Sequence, residues 1–335
     1  MKYIIQGAGA IGSAIGGFLA KTGFEVTLVS RSDHVEAIRK QNGIFLHTLT
    51  GTELQPINAA ESITDIPFTH DTVIFQTMKA NDTVRSLDDL KTTDPDTPIV
   101  CWQNGVENEA VVSKVFKHVY GGAVRFTGTM MKPGETNIAG TGKLIFGPYP
   151  QGMDEITGQI AADLARTPFT IITSNSIMQD KWLKLLVNLM SCVKPMVKNA
   201  SENMDKRIII CRNALKEGIA VLDKAGIKAA STNNTEDSPQ KMLENFDNAL
   251  KLAEGAGQGM ELQNSTWQSL AKRKKELEND FYTGVVINLG KKHSIPTPYN
   301  EAILFYLHLM AEKDMGPESV GVDDILVKAK ELSQK

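Results

Sequence analysis

The stretch from Met1 to Arg31 constrains this chain more than any other. Lys2-Tyr3-Ile4-Ile5-Gln6 is short and apolar, which predicts a buried strand. It runs directly into Gly7-Ala8-Gly9-Ala10-Ile11-Gly12, a G-x-G-x-x-G. Ile11 to Lys21 follows with Ile15, Phe18 and Leu19 at helical spacing, and Gly23 stops it. Phe24 to Val29 is a second apolar strand. A strand, a glycine turn, a helix and a strand in about thirty residues open a dinucleotide-binding α/β fold. Gly7 permits the tight turn, Gly9 lets the backbone approach a pyrophosphate, and Gly12 lets the helix lie close on the strand. With Ala8, Ala10 and Ile11 they form a loop whose N–H groups, at the positive end of a helix, face phosphates.

The end of the second strand bears on which cofactor is held. An NAD site usually carries Asp or Glu there, accepting hydrogen bonds from the ribose. This chain has Ser30-Arg31-Ser32. An arginine suits a 2′-phosphate through a forked, charge-assisted contact, so the reading is NADP(H). The alternative leaves Arg31 as a solvated charge and gives the ribose to Asp33.

At 335 residues the chain is long enough for two domains with cores of their own. A hydrophobic share of 41% and a charged share of 22% place it among ordinary soluble globular proteins. The formal net charge of -3 implies no nucleic-acid partner and no anionic membrane surface. The three cysteines, Cys101, Cys192 and Cys211, are widely spaced and fit reduced thiols in a cytoplasmic protein. No apolar run approaches the roughly 18 residues of a membrane span. The six histidines show no metal-ligand spacing, so no metal is proposed. A homodimer is compatible with all of this.

Further along, Asp33 to Gln41 predicts a helix stopped by Gly43. Ile44–His47 and Leu54–Ile57 predict short strands, and Asp71–Thr77 a strong buried one. Lys79 sits at its carboxyl end, and a helix begins near Thr83. Pro98–Trp102 is another strand, followed by Gln103-Asn104-Gly105. Val119–Val124, Lys143–Gly147 and Thr170–Thr173 complete the strands, with a helix over Asp154–Arg166. Strands alternating with helices predict a Rossmann-type parallel sheet, with ligands at the carboxyl ends of its strands. From Asn175 the periodicity is helical throughout. The expected division is a nucleotide-binding domain over 1–170 and an all-helical domain over 171–335.

The first helix of the second half, Ile177 to Val193, places Met178, Trp182, Leu185, Leu186, Leu189, Met190 and Val193 on one face. Lys181, Lys184, Asn188 and Ser191 form the opposite stripe, with Cys192 at its edge. Helices are also expected near Arg207–Ala225, Pro239–Glu254, Glu278–Leu289 and Asp323–Leu332, with a polar loop over Ser231–Asp237.

Taken together these residues resemble the ketopantoate reductase (2-dehydropantoate 2-reductase) family. The resemblance runs through the N-terminal G-A-G-A-I-G, Ser30-Arg31, Lys79-Ala80, Asn104-Gly105, Lys184-Leu185-Leu186-Val187-Asn188, Glu278-x-Asp280 with Gly284, and Ile295-Pro296-Thr297-Pro298-Tyr299-Asn300. It implies reduction of a 2-keto acid to a 2-hydroxy acid with NADPH. It implies Lys184 as the catalytic lysine and Glu278 as its paired glutamate. Asn104 and Asn188 would line the nicotinamide and the substrate, and Lys79 would lie near the cofactor ribose. Two positions depart from the family's pattern. Cys192 stands where a second asparagine is usual. The serine that binds the substrate carboxylate corresponds to either Ser265 or Thr266.

Hydride transfer to a keto group leaves charge on oxygen, which an ammonium such as Lys184 can protonate or stabilise. Glu278 would orient it, and Lys181 is assigned to solvent. The alternatives are a paralogue reducing another 2-keto acid or carbonyl compound, and a non-catalytic NADP(H)-binding sensor.

Overall fold

The computed structural model describes residues 1–234, 236, 238–246 and 263–334. The chain forms two units. The first comprises Met1–Gln103 and Glu107–Met178, the second Asn104–Val106 and Gln179–Lys335.

The first unit is built on one mixed sheet. Its strands are β1 (Lys2–Gln6), β2 (Glu25–Val29), β3 (Ile44–Thr48), β4 (Gly51–Gln55), β5 (Asn58–Ala60), β6 (Thr72–Gln76), β7 (Ile99–Cys101), β8 (Val119–Thr129), β9 (Glu135–Pro148) and β10 (Thr170–Thr173). They lie in the order β4-β3-β9-β8-β7-β6-β1-β2-β5, with β10 also on β9. β1 sits between β2 and β6, parallel to both, and every residue of β1 and β6 is buried. Burial on both faces explains why these strands read as unbroken apolar runs rather than alternating ones. The helices α1 (Ala10–Lys21) and α2 (Ser32–Gln41) follow β1 and β2.

Two pairs are antiparallel, β3 with β4 and β8 with β9, where the sequence predicts a wholly parallel arrangement. The predicted segments Val119–Val124 and Lys143–Gly147 are parts of much longer strands. Glycine and threonine in β8 dilute its apolar signal. One of those glycines has a packing reason. A Cβ on Gly122 would lie 2.8 Å from Cδ2 of Trp102. Trp102 belongs to a row of aromatic rings running from Tyr3 through Phe75 and Trp102 to Phe146, with centroid spacings of 5.0, 5.7 and 5.7 Å.

The second unit is helical, with helices at Ile177–Ser191, Met204–Ala225, Pro239–Glu244, Ser265–Ala271, Thr283–His293, Pro298–Glu312 and Val322–Ser333. Gly226, at φ 66°, ends the second of these in the left-handed conformation glycine adopts without penalty. Glu217 on that helix caps another one. Its carboxylate accepts the backbone N–H groups of Tyr299 (2.9 Å) and Asn300 (3.0 Å) and the Asn300 side-chain amide (2.7 Å). These groups open the Pro298–Glu312 helix, whose N-cap Thr297 accepts no backbone N–H of its own and instead donates its hydroxyl to Glu301 at 3.1 Å. Burial pushes the Glu217 carboxyl up to about 7, against the pull of those hydrogen bonds.

Three expectations change here. The first helix stops at Ser191 instead of Val193. The helix expected over Glu278–Leu289 is a 3-10 turn, Glu278–Phe281, then a separate α-helix from Thr283, broken at Tyr282 (φ −136°, ψ −59°). Lys181, assigned to solvent, is only 3% exposed, beside the buried Asp180. The Asp180 carboxylate accepts the Thr232 N–H at 2.8 Å and the Thr232 hydroxyl at 2.6 Å, a distant partner that helical periodicity cannot reveal. Of the helix expected over Pro239–Glu254, Pro239–Glu244 is present, and residues 247–254 lie outside the described residues, as do Thr235 and Asp237 of the polar loop. Among the described residues no helix is long and apolar enough to cross a membrane.

Candidate active site

In the first unit the glycine loop joins β1 to α1. Gly7 has φ +86°, and a Cβ there would lie 2.6 Å from the Met78 backbone. The N–H groups of Gly7 and Ala8 both donate to the Val29 carbonyl, at 3.0 and 2.8 Å, which stitches the loop to the end of β2. A Cβ on Gly12 would lie 2.8 Å from Ile5 Cγ2, so only glycine lets α1 approach β1 this closely. Gly9 differs from both. The nearest atom to a Cβ there is the Gly7 carbonyl oxygen at 3.9 Å. Gly9 is also the N-cap of α1 and offers no side-chain acceptor. Open space thus stands beside amide donors at the positive end of a helix, an arrangement that suits a pyrophosphate.

The other residues expected to hold the cofactor lie on neighbouring segments of this unit. Ser30 is half-buried and its hydroxyl donates to the Ala8 carbonyl at 3.3 Å. Arg31 is exposed at the N-cap of α2. Asp33 is also exposed, but one of its oxygens accepts the His34 N–H at 2.8 Å. Lys79 is half-buried at the start of the short 3-10 turn Ala80–Asp82.

The second unit gathers the polar residues expected to act on a substrate. Asn104 donates from Nδ2 to Glu278 Oε2 at 3.2 Å. Glu278 is 6% exposed, so its charge is largely removed from water. One turn on, Tyr282 is 2% exposed. Burial drives its phenol far above the ordinary tyrosine range, the Glu278 carboxylate adds to this, and hydrogen bonding with Thr266 and Ser265 works against it. Thr266 is buried and Ser265 exposed, both in the first turn of the Ser265–Ala271 helix. Asn264 caps that helix through the Trp267 N–H at 2.9 Å and also donates to the Ser191 carbonyl at 2.7 Å. The start of this helix is therefore tied to the end of Ile177–Ser191, on which Lys184 and Asn188 stand one turn apart, both half-buried.

Cys192, expected at the edge of the polar stripe, is instead wholly buried, and its thiol donates to the Leu189 carbonyl at 3.1 Å. Burial pushes that thiol well up, and the neighbouring Cys211 pushes the same way. A neutral thiol in the core is a small apolar residue in most respects.

Tyr282 was not singled out by the sequence. Its signal was its place four residues after Glu278, obscured by the break in the helix.

Comparison with known proteins adds to this geometry. The family described as Ketopantoate reductase PanE/ApbA matches residues 3–151, and its C-terminal counterpart matches residues 176–311. The 2-dehydropantoate 2-reductase of Pyrococcus horikoshii is 30% identical over 322 residues, covering 94% of this chain and 99% of its own. That of Lactococcus lactis is 24% identical over 327 residues, covering 93% and 98%. Among solved structures, a PanE/ApbA family ketopantoate reductase from Ralstonia eutropha aligns with a TM-score of 0.77 at 25% identity, over 94% of this chain and 99% of that one. A D-mandelate dehydrogenase solved with NADH and anilino(oxo)acetate aligns at 0.79 and 21% identity over 94% and 99%, a likeness of fold.

Proposed function

The chain belongs to the ketopantoate reductase family of oxidoreductases, and from that premise we propose that it reduces a 2-keto acid to the 2-hydroxy acid with NADPH. The favoured substrate is 2-dehydropantoate. The observation that carries the reading is Glu278, a buried carboxylate held by the Asn104 amide. A carboxylate taken out of water needs a cation or donors to offset the cost. Lys184 is assigned that role, and the pairing aims its ammonium.

NADPH, when bound, supplies a hydride for the keto carbon. Lys184 holds the proton that the keto oxygen takes up as negative charge develops there. Asn188, one turn along the same helix, donates to the substrate. Thr266 or Ser265 takes the substrate carboxylate. The loop Gly7–Gly12 receives the pyrophosphate, Arg31 and Ser30 the 2′-phosphate, and Lys79 the ribose.

The buried Cys192 bears on which 2-keto acid is preferred. A thiol is a weak donor and acceptor, and this one is engaged inside the core by the Leu189 carbonyl and Thr283. A site built to hydrogen-bond a substrate hydroxyl rejects the analogue that lacks it by several orders of magnitude, whereas a less polar site does not. The expected outcome is activity on 2-dehydropantoate that is shared with branched 2-keto acids lacking the 4-hydroxyl. NADPH oxidation with a panel of such acids tests this. Absence of turnover with every member would refute the reductase reading and favour a cofactor-binding sensor. A preference of several orders of magnitude for 2-dehydropantoate would refute the relaxed specificity alone.

A further inference from the structure

One histidine has a place in the first unit that no catalytic role requires. His34 lies in the first turn of α2 and is 1% exposed. Its Nδ1 is 2.9 Å from the backbone nitrogen of Gly134, in the turn between β8 and β9. A backbone N–H can only donate, so Nδ1 accepts and the ring proton sits on Nε2. Nε2 lies 3.2 Å from the hydroxyl of the fully buried Ser13 on α1. With its oxygen accepting from the ring, Ser13 directs its own proton to the Ala8 carbonyl, 3.3 Å away. Ser30 donates to the same carbonyl. A one-way relay therefore runs from the hairpin turn through an imidazole and a hydroxyl into the middle of the glycine loop.

The relay needs a neutral ring. Burial lowers the basicity of His34 below the ordinary histidine range, and Asp33 opposes this only in part. The consequence falls on Ala8. Rotation of the peptide that carries this carbonyl would break the bond from the Gly9 N–H to the Gly7 carbonyl (2.7 Å) and present the carbonyl's negative end to phosphate oxygens in front of the first amides of α1. Two hydroxyls hold this one to α1 and to the end of β2.

We propose that His34 is a positioning residue for the nucleotide site, fixing the Ala8 carbonyl through Ser13 so that the loop keeps its shape and the start of α1 stays open to a pyrophosphate. The inference rests on the reading of Gly7–Gly12 as the cofactor loop. It predicts a pattern distinct from that of Arg31. The pyrophosphate is common to NADPH and NADH, so loss of the relay weakens both together.

The test is fluorescence titration of NADPH and NADH into the unmutated protein and into His34→Ala, His34→Gln and Ser13→Ala at neutral pH. His34→Ala and Ser13→Ala should each raise both dissociation constants by about tenfold, with their ratio unchanged. Glutamine can accept from Gly134 through Oε1 and donate to Ser13 through Nε2. His34→Gln should therefore stay within about threefold of the unmutated protein. A merely structural role would lower the melting temperature without moving these affinities. Unchanged affinities in a folded His34→Ala, or glutamine no better than alanine, would overturn the proposal. Should His34→Ala fail to fold, Ser13→Ala decides, since it removes a single oxygen, and unchanged affinities there are equally fatal. An unmutated protein that binds neither cofactor would overturn the cofactor reading itself, and the relay's role with it.

Discussion

Two side chains divide the proposed work so that their variants should look nothing alike. Arg31 stands exposed at the N-cap of α2, where a guanidinium can fork onto a 2′-phosphate. Arg31→Ala should weaken NADPH at least about tenfold while leaving NADH nearly unchanged. Equal losses for both cofactors, read by the same titration, would remove Arg31 from cofactor discrimination. Lys184 is in the helical unit and is the residue proposed for the chemical step. Lys184→Ala should reduce turnover by about two to four orders of magnitude and leave NADPH binding close to normal. Retention of most of the turnover would take Lys184 out of the mechanism. Both residues stand out in the sequence because their signals are local. Arg31 ends a strand that follows a glycine loop, and Lys184 lies within a five-residue match to the family. The hydrogen bonds of Tyr282 and His34 depend on neighbours distant in sequence, Thr266 and Ser265 for one and Gly134 and Ser13 for the other.

Among the elements, the Pro298–Glu312 helix is held at its start by a carboxylate from a different helix. Burial raises the Glu217 carboxyl from its ordinary 4.5 to about 7, so the folded protein binds this proton more tightly than the unfolded chain does. Stability from this group is then greatest below about 4.5 and declines as pH rises to about 7. In denaturant unfolding, the advantage of the unmutated protein over Glu217→Gln should shrink across that window and stay constant above it. An advantage that grows with pH would mean that the three donated hydrogen bonds outweigh desolvation. Lys181, next to Asp180 and as buried, shows the same limit of helical periodicity. The neighbouring Asp180 is buried on Thr232, outside the helix itself, so a face that looks polar along the sequence need not meet water. The long β8–β9 pair escaped for another reason. Val119–Val124, with Gly122, and Lys143–Gly147 read as strands, but their extensions over 125–129 and 135–142 are interrupted by Gly128, Gly140 and Gly142 and carry little apolar signal.

For the molecule as a whole, the order of elements and the change from sheet to helices were readable, because the two kinds of periodicity differ and extend over many residues. The three residues that break that order were not. Asn104–Val106 lies within the sequence span of the sheet but packs with the helical unit, where Asn104 meets Glu278. A fragment of residues 179–335 lacks this tripeptide, whereas a Met1–Met178 fragment keeps all ten strands. Hydrogen exchange should show the Glu278–Phe281 amides less protected in the isolated 179–335 piece than in the intact protein. Equal protection would mean the tripeptide contributes nothing there. The same feature sets an order in time. Chains fold largely from the N-terminus as they are synthesised. Asn104–Val106 leaves the ribosome before any of the helices it will join, so the tripeptide waits for partners made much later in the chain. Stalling or slowing translation past Met178 would prolong that interval.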